Sequence, residues 1–229
     1  MGYRLLDGSA LGEIGPDRAR DVVAWLISTG PAFFDAQFGD RDRALAALTA
    51  WLSREGSEFG LARSRIALDP SGTIAGGYFA SKGLDLEKAR RADMMAKLRA
   101  SDPDERRRYQ AFVTDANTLA PVPPSESEYL SAIGVLPAHR GRDLGRFMIA
   151  DWLARGRDRG TAVFQLNVVA DNAVARRLYE SFGFRTIGEG SMPGIELRSL
   201  TMRLDAGPAA GLGERSAGVA PSSAVPSTP

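Results

Sequence analysis

Ile133-Gly134-Val135-Leu136-Pro137-Ala138-His139-Arg140-Gly141-Arg142-Asp143-Leu144-Gly145 is the stretch that decides how this chain folds. A buried-type strand, Tyr129 to Val135, runs into a tight turn of Gly and Arg. A helix follows at once, Gly145 to Arg157, with Phe147, Met148, Ile149, Trp152 and Leu153 on its apolar side. Such a helix start presents unbonded N–H groups and the positive end of the helix dipole, which suits a phosphate or pyrophosphate. Arg140, Arg142 and Arg146 add positive charge beside it. Taken alone, the junction is equally well a purely steric turn. It is not a Walker loop, because the Gly-Lys-Ser/Thr ending is missing.

Downstream lies Leu166-Asn167-Val168-Val169-Ala170-Asp171-Asn172-Ala173-Val174-Ala175-Arg176-Arg177-Leu178-Tyr179-Glu180-Ser181-Phe182-Gly183-Phe184. It reads as a strand, a helix capped by Asp171 or Asn172, and a stop at Gly183. Asn172 and Tyr179 are seven positions apart, which leaves them about 20° apart on one helix face. A polar group at the helix mouth and a phenol two turns along can therefore face one ligand. Taken alone, Tyr179 reads as a partly buried packing tyrosine with a satisfied hydroxyl.

Together, Val135-x-Pro137-x-x-Arg140-Gly141-x-x-x-Gly145 and Asn172-x-x-Ala175-x-x-Leu178-Tyr179-x-x-x-Gly183-Phe184 resemble the acetyl-CoA core of the GNAT superfamily of N-acetyltransferases. The detailed resemblance spans Tyr129 to Phe184, and the coarser element order from Tyr3 to Leu204 agrees with it. It implies an α/β (α+β) fold: a mixed, mostly antiparallel sheet flanked by helices, with a helical insert between the third and fourth strands. It also implies acetyl-CoA as acyl donor. The main chain of Ile133, Gly134 and Val135 would pair with the pantetheine arm. The turn Arg140, Gly141, Arg142, Asp143, Leu144, Gly145 and Arg146 would wrap the pyrophosphate, and Asn172 would bond the pantetheine or a nearby phosphate. Tyr179 would protonate the departing thiolate. One position departs from the family pattern: Asp143 stands where Gly is usual, and its carboxylate is expected to point to solvent, since facing inward it would repel pyrophosphate.

The expected reaction is direct attack of a primary amine on the thioester. An amine with a lysine-like pKa of about 10.4 is ~99.9% protonated at pH 7, so presenting its neutral form costs roughly 4 to 5 kcal/mol. Glu128 and Glu126, just before the cofactor strand, are the nearest bases by sequence, and Glu128 is preferred. Both are otherwise read as solvated strand-edge carboxylates. The acceptor side is bounded, by the same resemblance, by a loop carrying Phe33, Phe34 and Phe38. These aromatics suggest a small-molecule amine, although they fit a core equally well.

Composition narrows the alternatives. With no cysteine and a single histidine, His139, the chain can build neither a cysteine-zinc site nor a multi-histidine one, and no metal is expected. A formal net charge of +1 gives no electrostatic reason for nucleic acid as partner, and Arg106-Arg107-Arg108 reads as a solvated helix face. No run approaches the roughly 20 apolar residues of a membrane span. The N-terminus lacks the basic-then-apolar order of a signal peptide, so a cytoplasmic protein is expected.

Residues 1–205 read as one acyltransferase domain and the Gly-, Ala-, Ser- and Pro-rich segment 206–229 as a disordered tail. The insert, about 82–120, is highly charged with a thin apolar face. It is read either as a lid over the acceptor or as a helical hairpin that braces the core or makes a homodimer contact. Two other functions stay open: transfer of a longer acyl group, and a non-catalytic acyl-CoA-binding or sensor module.

Overall fold

The computed structural model describes residues 2–12 and 14–207. The tail expected over 206–229 lies outside the described residues from position 208 onward. Seven strands run β1 (Arg4–Asp7), β2 (Ser64–Leu68), β3 (Ile74–Lys82), β4 (Glu128–Val135), β5 (Val163–Val169), β6 (Arg185–Met192) and β7 (Leu197–Asp205). Seven helices accompany them: α1 (Pro16–Ser28), α2 (Pro31–Phe38), α3 (Arg41–Leu52), α4 (Gly83–Ala100), α5 (Pro103–Ala116), α6 (Leu144–Asp158) and α7 (Ala173–Glu180). The strands form one sheet in the order β1-β2-β3-β4-β5-β7-β6. Every neighbouring pair is antiparallel except β4 and β5, which are parallel and joined through α6. The sheet is thus mixed and mostly antiparallel, with α4 and α5 inserted between the third and fourth strands.

Side-chain alternation along the strands builds two cores. Trp25, Leu26, Leu48, Ile66 and Phe79 fill the side under α1 and α3. Tyr78, Leu130, Met148, Trp152, Phe164 and Met202 fill the side under α6. A third cluster, Tyr109, Phe112, Leu119 and Met192 with Phe33 and Leu98 against it, fastens the insert to α2 and to the β6–β7 hairpin. Its break falls at Ser101-Asp102-Pro103, where the Asp102 side chain caps α5 by accepting from the N–H groups of Asp104 and Glu105.

The Gly76-Gly77 pair has a packing reason. Gly77 pairs with Gly134 across β3 and β4. A Cβ at Gly77 would stand 2.9 Å from the Trp25 ring, and one at Gly134 would stand 2.9 Å from both that ring and the Trp25 carbonyl. The two glycines make the flat seat on which the fully buried Trp25 lies, stacked on Phe79 at 5.4 Å. β3 also bulges there, with the register shifting between Ala67 and Leu68 of its partner.

The loop expected to carry Phe33, Phe34 and Phe38 is instead the helix α2. Pro31 opens it at the first helical position, where a missing N–H costs nothing. Phe34 and Phe38, four apart, share its inner face and are 3% and 2% exposed, so they are core residues. Among the described residues no helix is long and apolar enough to cross a membrane.

Candidate active site

The parallel pairing of β4 with β5 lasts only three rungs, Glu128 with Phe164, Tyr129 with Gln165 and Leu130 with Leu166. A bulge at Ser131 then shifts β4, since Leu130 faces Ala80 and Ala132 faces Phe79. β4 continues along β3 to Val135 and β5 continues along β7 to Val169, so the two strands part into a fork. The backbone groups of Ser131 to Val135 that point toward β5 have no ladder partner there. Backbone polar groups are rarely left so, and an extended ligand laid in the fork would complete the ladder.

The turn at the end of β4 leads to the start of α6. Gly141 is left-handed at φ 71°, and a Cβ there would meet nothing within 4 Å. Asp143 is also left-handed (φ 54°, ψ 14°) and stands at the N-cap of α6 without a side-chain cap bond. Asp is among the few non-glycine residues that tolerate this conformation, and its side chain is exposed. The first N–H groups of α6 are therefore uncovered by a capping side chain. Arg140 donates from Nε to the Val135 carbonyl at 3.1 Å, and Arg146 donates to Ser181 Oγ at 3.2 Å. Arg142 is exposed.

α7 stands beside this turn: a Cβ at Gly145 would come within 3.4 Å of Leu178. Asn172 caps α7, its Oδ1 accepting from the Ala175 N–H at 3.1 Å, which leaves its amide N–H groups for other partners. Tyr179 is 6% exposed and packs edge-on against Phe184, in the cluster that also takes Ile133 and Val135 of β4. Burial pushes its hydroxyl well above the ordinary tyrosine range, so at neutral pH it carries its proton. The structure thus brings together Ile133, Gly134, Val135, the turn from Arg140 to Arg146, and Tyr179.

Glu128 stands apart from them. It lies on the first, closed rung of the β4–β5 pair and points to the α6 side, where Arg159 holds its Oε1 from Nε at 3.0 Å and Nη2 at 2.9 Å and Lys82 lies 3.9 Å away. At 2% exposure with these partners it is a buried ion-pair residue. Glu126 is exposed in the preceding turn.

The opposite face of the fork carries residues the sequence reading passed over. Tyr129 donates to Asn167 Oδ1 at 3.1 Å, and Asn167 Nδ2 donates to Ser199 Oγ and Thr201 Oγ1, each at 3.3 Å. From α4, the Arg90 guanidinium lies 5.3 Å over the Tyr129 ring and grips Glu58 along two parallel bonds of 3.1 Å. The usable signal was the alternation of polar residues in two buried strands, Gln165 and Asn167 in β5, Ser199, Thr201 and Arg203 in β7, which marks a polar sheet face.

Residues 101–184, which hold the fork, the turn and α7, match the model of the Acetyltransferase (GNAT) family. The segment that carries the fork, the turn and α7 is therefore similar to the GNAT family. Over 72 residues it is 42% identical to the N-alpha-acetyltransferase RimI of Mycobacterium tuberculosis, a match covering 31% of this chain and 42% of that protein. The chain thus aligns with less than half the length of this curated relative. Its fold is similar to that of an N-acetyltransferase from Staphylococcus aureus Mu50, with a TM-score of 0.64 at 15% identity over 88% of this chain and 100% of the other. It is also similar to that of a putative acetyltransferase from Salmonella typhimurium solved with its cofactor acetyl-CoA, with a TM-score of 0.50 at 17% identity over 92% and 98%. The helical insert between β3 and β4 sits within this shared fold.

Proposed function

We propose that this chain, GNAT-like over residues 101–184, moves an acetyl group from acetyl-CoA to a primary amine on a small molecule, by direct attack, with Tyr179 as general acid. The observation that carries the reading is the fork: unpaired backbone on Ser131 to Val135 ending in a turn that opens the N-terminus of α6. An extended amide-bearing arm with a pyrophosphate at one end fits both halves. Its amides would complete the ladder along Ile133, Gly134 and Val135. Its pyrophosphate would lie on the N–H groups that follow Asp143, with Gly141 leaving room for close approach.

Bound there, acetyl-CoA supplies an activated acyl carbon. Within the fork, backbone N–H groups near the bulge would polarise the carbonyl, as preorganised donors do in acyl transfer. Tyr179, kept protonated by burial, donates to the leaving sulfur. Asn172 orients the arm through its amide N–H groups while its Oδ1 stays on α7. The geometry of Glu128 speaks for a structural role, so the proton of the acceptor goes elsewhere. Support for a small-molecule acceptor comes from the contacts by which the insert ties α2 to the β6–β7 hairpin.

Acetyl-CoA binding followed by thiol release tests this. The expected result is a rise in unfolding temperature with acetyl-CoA, weakened in Arg140→Ala, and amine-dependent release of free thiol. Binding without release on any amine would favour the sensor reading instead.

A further inference from the structure

The fork has two faces, and only one is filled by the α6 core. On the other, hydrogen bonds join the polar row Tyr129, Asn167, Ser199 and Thr201, and Arg90 of the insert lies over Tyr129. Gln165, the rung partner of Tyr129, is 2% exposed, and its Nε2 has no hydrogen-bond partner among the described residues. Polar side chains line this buried face where apolar ones would pack at no desolvation cost.

The cover over this face is built in, not incidental. The Phe112 ring meets Phe33 of α2 at 5.2 Å, and Met192 at the end of β6 joins the same cluster. Beyond α5, the backbone presses onto the hairpin: a Cβ at Gly190 would stand 2.3 Å from the carbonyls of Thr118 and Leu119. Thr118 also bonds the Ser191 carbonyl. The insert therefore ties α2 to the β6–β7 hairpin across the face, and a polypeptide crossing between them would have to break those contacts.

Asp93 and Glu58 are carboxylates joined to the insert on this side. Asp93 is consumed: its Oδ1 takes Arg54, and its Oδ2 takes Ser57 Oγ at 3.1 Å and the Glu58 N–H at 2.8 Å. Glu58 differs. Arg90 occupies one edge of its carboxylate, which leaves a lone pair on each oxygen. Its side chain is 11% exposed. The Arg90 that holds it also lies 5.3 Å over the ring of Tyr129, two positions from the Ser131 bulge where the fork opens.

We propose that Glu58, held by Arg90 of the insert, receives the acceptor's ammonium group and takes its proton, and that the acceptor is a compact primary amine and not a peptide. This rests on the acetyl-transfer reading above. The ammonium gives one proton to Glu58, and the nitrogen lone pair then attacks the thioester carbon. The C–N bond forms and the C–S bond breaks. The departing thiolate takes the Tyr179 proton. The second nitrogen proton restores Tyr179 by way of water, and Glu58 releases its own to solvent. Arg90 is a positioning residue here.

The test compares Glu58→Gln with the parent on ethanolamine, tyramine, trifluoroethylamine (which is largely neutral at pH 7) and a tetrapeptide with a free N-terminus. Thiol release is followed, and the thermal shift with acetyl-CoA is recorded for both proteins. On ethanolamine or tyramine, kcat/KM should fall about 100-fold or more, the scale of a lost general base. On trifluoroethylamine, which needs no base, the loss should stay below roughly tenfold, and the acetyl-CoA shift should be unchanged. Glu58→Asp, which keeps the charge, should lose less than Glu58→Gln and serves if the latter fails to fold. Equal losses on all amines, or losses under about threefold, overturn the assignment. So does a parent that binds acetyl-CoA yet acetylates the peptide fastest, or acetylates none of the four. A parent that acetyl-CoA does not stabilise overturns the acetyl-transfer reading itself, a different and separately visible failure.

Discussion

Tyr179→Phe removes a single oxygen from a ring that is 6% exposed and packed edge-on against Phe184 at 6.0 Å. The ring and its contacts stay, so the fold should lose at most about 1 kcal/mol, the scale of one net hydrogen bond. For a domain of this size that is a fall of roughly 2 to 4 °C in unfolding temperature. Catalysis should respond differently. Burial raises the Tyr179 hydroxyl above its ordinary range, which makes it a weaker acid than free tyrosine. The same desolvation destabilises the departing thiolate, so donor and acceptor shift together. A lost general acid then costs about 100- to 10,000-fold in turnover, or roughly 3 to 5 kcal/mol at 1.36 kcal/mol per decade. Turnover is read by thiol release at saturating amine, and acetyl-CoA affinity by the thermal shift of the same preparations. A variant whose turnover stays within about threefold of the parent would refute the role of Tyr179. A variant that loses turnover only because it no longer binds acetyl-CoA would refute the argument from packing.

Three further outcomes follow from the packing. Gly134→Ala places a methyl 2.9 Å from both the ring and the carbonyl of Trp25, and such overpacking costs about 1 to 3 kcal/mol; thermal unfolding should show it as a drop of several degrees, and no drop would contradict the Trp25 seat. Arg159→Ala strips the main partner from the 2%-exposed Glu128, leaving a buried charge at a cost of about 3 to 5 kcal/mol, while the double change with Glu128→Gln should recover much of it in urea unfolding; no recovery would break the pairing argument. Asp93 has its carboxyl pushed above the ordinary range, chiefly by burial. The folded state therefore binds that proton more readily than the unfolded one, and the Asp93 contribution to stability grows as pH falls from neutral through the raised value. Measured against Asp93→Asn, the parent should gain stability on acidification, and a flat difference would contradict the sign.

How much of this was legible in the sequence depends on the range of the contacts involved. The strand–turn–helix at Val135 to Gly145 could be read because its chemistry is local: a left-handed Gly141, a helix start, a run of arginines. Asn172 and Tyr179 were legible as positions on one helix. The helix at Pro31–Phe38 was read as a loop because eight residues give little periodicity, and its Phe34–Phe38 spacing makes sense only once the core exists. Glu128 was placed by its nearness in sequence to β4, but strand alternation turns it toward α6 and turns Tyr129 the other way. The polar face beside the fork was invisible for a plainer reason. Its bonds join residues 32 to 38 positions apart, Glu58 to Arg90, Tyr129 to Asn167, Asn167 to Ser199 and Thr201, and only the sheet order brings them together.

The most direct test of the central claim, that the β4–β5 fork and the α6 turn hold acetyl-CoA, is the unfolding temperature of the whole chain with and without it. A ligand at about 100 times its dissociation constant adds roughly 2.7 kcal/mol to stability, which is a rise of about 5 to 10 °C for a domain of this size. That rise, reduced in Arg140→Ala and preserved in Tyr179→Phe, is the predicted result. An unfolding temperature that does not move at millimolar acetyl-CoA would contradict the account.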